Sequence, residues 1–196
     1  VQAIVNGYGS AYIYLTAVGE QGYSNWESID GEKMQQTGSR EYSIPGEIKI
    51  LDDSLVKAQV GSGYDSAEMR IEGGQITIQN SEATSEVIGS GEAYTLIDGE
   101  DGYDNTTEDD VTTETEIKSN VTIDNSQVQA LVGGEGHAEA IIYDQENELE
   151  AYGYDITEAI DEFVDFNIGG PVSGKVNIIN NSSVLAKVNS EYDEPT

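Results

Sequence analysis

The chain is predicted to be all-β, built from degenerate strand repeats that stack as a solenoid or fold as a β-sandwich or jelly roll. Three observations carry that prediction. One phrase occurs four times along the sequence. Apolar and polar residues alternate within every copy. The composition is heavy in tyrosine (12) and glycine (22) and light in apolar residues (37%), which suits strands and turns better than helix bundles.

The repeated unit is read from its polar pivots, Asp53, Asn80, Asn125 and Asn181. These are separated by 27, 45 and 56 residues. After each pivot three positions spaced by two align across the copies: Val56, Ala83, Val128 and Val184; then Ala58, Ser85, Ala130 and Ala186; then Val60, Val87, Val132 and Val188. A spacing of two with small apolar residues is a strand with one buried face. Before the pivot, Ile76/Ile78 and Val121/Ile123 alternate in the same way. Ile48/Ile50 and Val176/Ile178 do so with one extra residue before the pivot, which reads as a β-bulge. Each unit is therefore strand, polar corner, strand, Gly-rich turn, strand.

The chain opens Val1-Gln-Ala-Ile-Val, an echo of Val128-Gln-Ala-Leu-Val. The first unit thus starts at its middle strand and the last, past Val188, lacks its third. Strand edges carrying Val1, Ala3 and Val5 at one end and Val184, Ala186 and Val188 at the other are expected to invite pairing with another copy. Head-to-tail pairing of that kind propagates a homopolymer if it does not close.

The remaining sequence reads as one domain over 1–196 with inserts at about 16–45, 98–116 and 144–171. The second insert holds nine acids and no base over Asp98–Glu116. In the third, Asp155-Ile-Thr-Glu158 resembles a capping box, and Ile156, Ile160 and Phe163 fall on one helical face. One short helix is expected at about Thr157–Phe166. In repeat scaffolds such inserts emerge on one side and often carry binding.

The charge excludes whole classes of partner. With 38 acids against 8 bases, the net charge is −30. Such a chain repels phosphate backbones and anionic lipid surfaces. The acids suit divalent cations, a surface adapted to high salt, or solubility of a β-rich chain. No stretch of apolar residues is long enough for a membrane span. Cysteine is absent, so neither disulfides nor thiolate metal sites are available.

Few residues point to catalysis. His137 is the only histidine and lies in a turn after a repeat strand, where it reads as a polar turn residue. There is no nucleophile elbow for a Ser-His-Asp arrangement. Carboxylate pairs suited to glycoside cleavage are everywhere and single out nothing. The chain is therefore read as a non-enzyme with no resident cofactor. Asp98, Glu100, Asp101 and Asp104 place oxygen ligands at close spacing and form a loose Ca²⁺ candidate, with Tyr103 where an EF-hand loop requires glycine. Four sequons make Asn105, Asn120, Asn180 and Asn181 glycosylation candidates. Tyr8 and Tyr64 sit at equivalent turns, where stacked coils would align them.

The unit Ser126-x5-Val132-Gly-Gly-Glu-Gly-His137-Ala-Glu-Ala-Ile-Ile-Tyr143 resembles the curlin repeat in spacing, and Ser54-x5-Val60-Gly-Ser-Gly follows the same spacing. Val132, His137 and Tyr143 stand where curlin carries Gln and Asn. The resemblance implies a stacked β-solenoid, secretion, and a role in extracellular fibres of the biofilm matrix. Two functions are carried forward: a structural subunit of an extracellular filament, and a monomeric cell-surface adhesion or binding module that uses the acidic inserts, Ca²⁺-dependent in one version.

Overall fold

The fold is taken from a computed structural model that describes residues 1–17, 20–29, 33–43, 45–61, 65–108, 111–144, 147–154 and 175–189. Every regular element among them is a β-strand. In chain order these are β1 (Gln2–Val5), β2 (Ala11–Ala17), β3 (Glu20–Ile29), β4 (Lys33–Ser43), β5 (Glu47–Leu51), β6 (Leu55–Val60), β7 (Asp65–Gly73), β8 (Gln75–Gln79) and β9 (Glu82–Val87). Then come β10 (Gly91–Gly99), β11 (Gly102–Glu108), β12 (Val111–Ile117), β13 (Asn120–Asp124), β14 (Gln127–Val132), β15 (Gly136–Asp144), β16 (Asn147–Tyr154), β17 (Lys175–Ile179) and β18 (Ser183–Val188). The helix expected at Thr157–Phe166 lies outside the described residues, as does Tyr64.

Three sheets make a solenoid-like stack. The leading strands pair in the order β5-β8-β13-β17, the middle strands β1-β6-β9-β14-β18, and the trailing strands β2-β7-β10-β15. All these ladders are parallel. The register is the one the repeats foretell: Val56, Ala83, Val128 and Val184 stack, as do Ala58, Ser85, Ala130 and Ala186. Ala3 and Val5 continue the column beside Ala58 and Val60. A parallel sheet normally needs a long crossover. Here the next two strands of the coil supply it.

The pivots explain the corner between leading and middle strands. Asn80 and Asn125 have φ of 49° and 46°. A left-handed residue costs about 1–2 kcal/mol for an ordinary L side chain, and Asn and Asp tolerate it best. The extra residue expected to bulge the first and last leading strands does not do so. The ladder from Glu47 to Leu51 pairs unbroken with Gln75–Gln79. The added residue instead widens the corner into two left-handed residues, Asp52-Asp53 and Asn180-Asn181. The serine after each pivot locks the corner. The hydroxyls of Ser81 and Ser126 donate to Gln79 O (2.8 Å) and Asp124 O (2.7 Å). They accept the amides of Ser54 (3.2 Å) and Ser81 (3.0 Å) from the preceding coil. Outside them, Asn125 Nδ2 donates to Asn80 Oδ1 at 2.9 Å.

The core runs down the stack. Ile76, Ile78, Val121 and Ile123 from the leading sheet meet Met69, Ile71, Ile97 and Ile142 from the trailing sheet, all fully buried. The small central column of the middle sheet leaves room for Ile13 and Met69. Burying each Val, Ile or Met stabilises by about 1.5–3 kcal/mol. One coil replaces apolar packing with hydroxyls: Thr95 Oγ1 lies 2.9 Å from Ser85 Oγ, and Ser85 Oγ donates to Tyr94 O at 2.7 Å. At the next corner Gly91 and Gly136 take φ of +148° and +153°. A Cβ there would collide with the carbonyl oxygens of Asp65 and Gly91 in the adjoining coil, so only glycine fits.

All described inserts leave from the corner between a trailing strand and the next leading strand. The hairpins β3–β4 and β11–β12 join as one antiparallel sheet, β12-β11-β4-β3. β16 turns back along β15 in antiparallel sense and occupies the edge of the trailing sheet.

Candidate functional site

The assembly residues expected from sequence lie at the two outer edges of the middle sheet. Among the described residues, β1 pairs only with β6, and β18 only with β14. On β1 the Val1 ammonium donates to Leu55 O (2.8 Å), Lys57 N donates to Val1 O (3.0 Å) and Gly61 N donates to Val5 O (2.8 Å). By strand alternation Gln2 and Ile4 turn their backbone N–H and C=O outward. On β18, Ser183 N donates to Ser126 O (3.0 Å) and Asn189 N to Val132 O (2.8 Å). Val184, Ala186 and Val188 therefore turn their backbone groups outward while their side chains stay buried. The two edges present hydrogen-bonding groups in complementary phase, with Ala3 and Val5 at the positions that would stack on Ala186 and Val188. Val1 and Ile4 are exposed at 69% and 48%.

The four acids proposed from sequence as a cation loop separate into two groups. Asp98 and Glu100 converge with Glu72, each offering an oxygen within 4.8 Å of the others. Asp101 turns away, accepting the Ser119 amide at 2.6 Å and Lys118 Nζ at 3.1 Å, and its carboxyl is held below the usual range by the Ser119 amide and side chain and by Lys118, against desolvation. Asp104 accepts a bidentate pair from Arg40, Nε at 2.8 Å and Nη2 at 2.5 Å, which lowers its pKa. Glu72 went unnoticed in the sequence because it precedes the acidic segment. Aligning the repeats finds it, since Asp98 and Glu72 are register partners. Desolvation, then repulsion from Glu100 and Glu72, raises Asp98 to about 6, with Arg70 opposing. The cluster is suited to a hard cation or to a proton held on Asp98.

The other candidates fall as follows. Asn120 opens β13, and its Oδ1 accepts Asn177 Nδ2 at 3.1 Å. Asn105 lies within β11 between Glu41 and Glu114. Asn180 and Asn181 are exposed left-handed corner residues, and Asn180 Nδ2 donates to Asp124 Oδ1 at 2.7 Å. Of the four, Asn180 and Asn181 are exposed and outside every ladder. His137 lies at the start of β15, with Nε2 3.3 Å from Glu139 Oε2. Tyr8 is 85% exposed at its turn.

No family model, no curated protein and no solved structure matches this chain.

Proposed function

We propose that this chain is a structural subunit of an extracellular filament or matrix, joined head to tail by strand addition at the middle sheet. The observation that carries the reading is the match between the outward edges of β1 and β18. Adding β1 of one copy to β18 of another continues the ladder in the register used between every pair of coils, Ala3 beside Ala186 and Val5 beside Val188. Such a contact is heterologous, so it propagates. In the trailing sheet the following copy's β2 would lie against β16. β1 belongs to the middle sheet and β2 to the trailing sheet, and the joint is placed on those two sheets.

The spacing shared with the curlin repeat agrees with this reading. So does the chemistry of the edges, which among the described residues offer unpaired backbone groups over small apolar side chains. The net charge of −30 opposes each joint, and salt screens it over about 8–10 Å near physiological strength. Assembly is therefore expected to rise with ionic strength. The test is sedimentation and negative-stain electron microscopy across a salt series, with and without Ca²⁺. Filaments that lengthen with salt support the reading, and discrete monomers at every salt concentration overturn it.

A further inference from the structure

We propose that the outer face of the trailing sheet binds an extended polysaccharide bearing free amino groups. The sheet puts one outward row in line across its strands: Tyr12, Glu68, Tyr94 and Glu139 are successive register partners. Tyrosine and glutamate alternate along the whole row. With strands about 4.8 Å apart, each Tyr–Glu pair recurs about every 10 Å along the stack.

The row is laid out as a platform. Tyr12 and Tyr14 are 51% and 56% exposed. Their hydroxyls reach across to β7, Tyr12 to Ser66 at 3.4 Å and Tyr14 donating to Glu68 at 2.8 Å, so both side chains lean over the neighbouring strand. In the adjoining row Tyr14, Arg70, Leu96 and Ile141 are successive register partners, and Leu96 and Ile141 are nearly buried.

Two features select the ligand. An aromatic face and a carboxylate both attract an ammonium group, the first through the ring quadrupole and the second through a charge-assisted hydrogen bond. The face is complementary in charge to such a ligand: Glu68, Glu72, Glu92, Asp98 and Glu139 lie on it, with Arg70 against Glu72 and His137 beside Glu139 as the bases. The second feature is the period. An extended peptide returns a side chain to the same side every two residues, about 7 Å. A stiff β-linked amino-sugar chain presents the same sugar face every second unit, a repeat closer to that of the Tyr–Glu row. The site needs one subunit only and does not depend on filament formation.

Isothermal titration calorimetry tests this, using the full chain and a short β-1,4-linked glucosamine oligomer at salt well above physiological strength, where diffuse attraction is screened. Tyr94→Ala, and the pair Glu68→Gln with Glu139→Gln, are each expected to weaken binding by about tenfold. Glu108→Gln with Glu114→Gln removes the same charge from the insert sheet and is expected to change affinity by less than about twofold. Circular dichroism checks that each variant keeps its strands. Equal losses in the two charge pairs would overturn the proposal. So would an absence of binding, or equally tight binding of the N-acetylated oligomer or of a lysine peptide of the same charge.

Discussion

The solenoid body and the insert sheet are both made of strands, yet they are held together differently. In the body, β6, β7, β8, β13 and β14 bury alternate residues against the other two sheets, and the same column recurs coil after coil. In the insert sheet, β12 is exposed at six of seven positions, and β11 buries only its first residue. There the chain is fixed by polar pairs: across strands the Arg40–Asp104 fork and Thr107 to Thr112 at 2.9 Å, and along β4 Arg40 stacked 4.9 Å over Tyr42. A repeat earns stability from burial shared by neighbours, whereas an insert relies on backbone pairing and a few charges.

The comparison is tested most severely in the body. Ile78→Ala removes a fully buried side chain from the centre of the stack. It should destabilise the protein by about 2–5 kcal/mol in denaturant titration. An equivalent truncation in the insert sheet, Val111→Ala, is expected to have almost no effect, because Val111 is 67% exposed. The corners come next. Asn125→Ala forces an ordinary side chain into the left-handed region and deletes the bond to Asn80, for a loss of about 2 kcal/mol. Asn125→Gly keeps the backbone conformation and should recover about half of that loss.

Asp98 sits where body and insert meet, and it predicts a pH dependence. Its folded pKa, about 6, lies above the unfolded value near 3.9. The folded state therefore holds the proton more tightly. The stability from this group is fully present below about pH 4 and is lost as pH rises through 6. Asp98→Asn should remove that loss, leaving the variant about 1 kcal/mol more stable than the parent at pH 7 and flatter between pH 4 and 6. The smallest effect belongs to the insert sheet itself. Arg40→Ala should speed amide hydrogen exchange in β4 and β11 by less than about tenfold and leave the body's exchange unchanged.

These two regions also differ in how far the sequence reveals them. The body was legible because its constraints are local and repeated. The left-handed corner demands Asn or Asp, the serine beside it has a backbone carbonyl to bond, and Val-x-Ala-x-Val marks the buried face. Aligning the pivots alone fixed which residues stack. The bulge expected before Asp53 and Asn181 was misplaced, because a short Asp-Asp or Asn-Asn run fits a wider corner as well as a kinked strand. The insert sheet was not legible. Its strands are polar on both faces, so their alternation carries no hydrophobic signal. The pairing of β4 with β11 joins segments on either side of two complete coils. The acidic cluster was half legible: Asp98 and Glu100 stand out by local density, whereas Glu72 is contributed by the adjoining coil. Lys118 and Arg40, which draw Asp101 and Asp104 away, are remote from the loop in sequence.

The most direct test of the central claim compares the parent chain with Ile4→Pro by electron microscopy and sedimentation at high salt. Ile4 turns its amide outward from β1, so proline there removes a donor at the free edge and spares the bonds to β6. The account predicts filaments for the parent and folded monomers for Ile4→Pro. Filaments of equal length from both, or monomers from both, would contradict it.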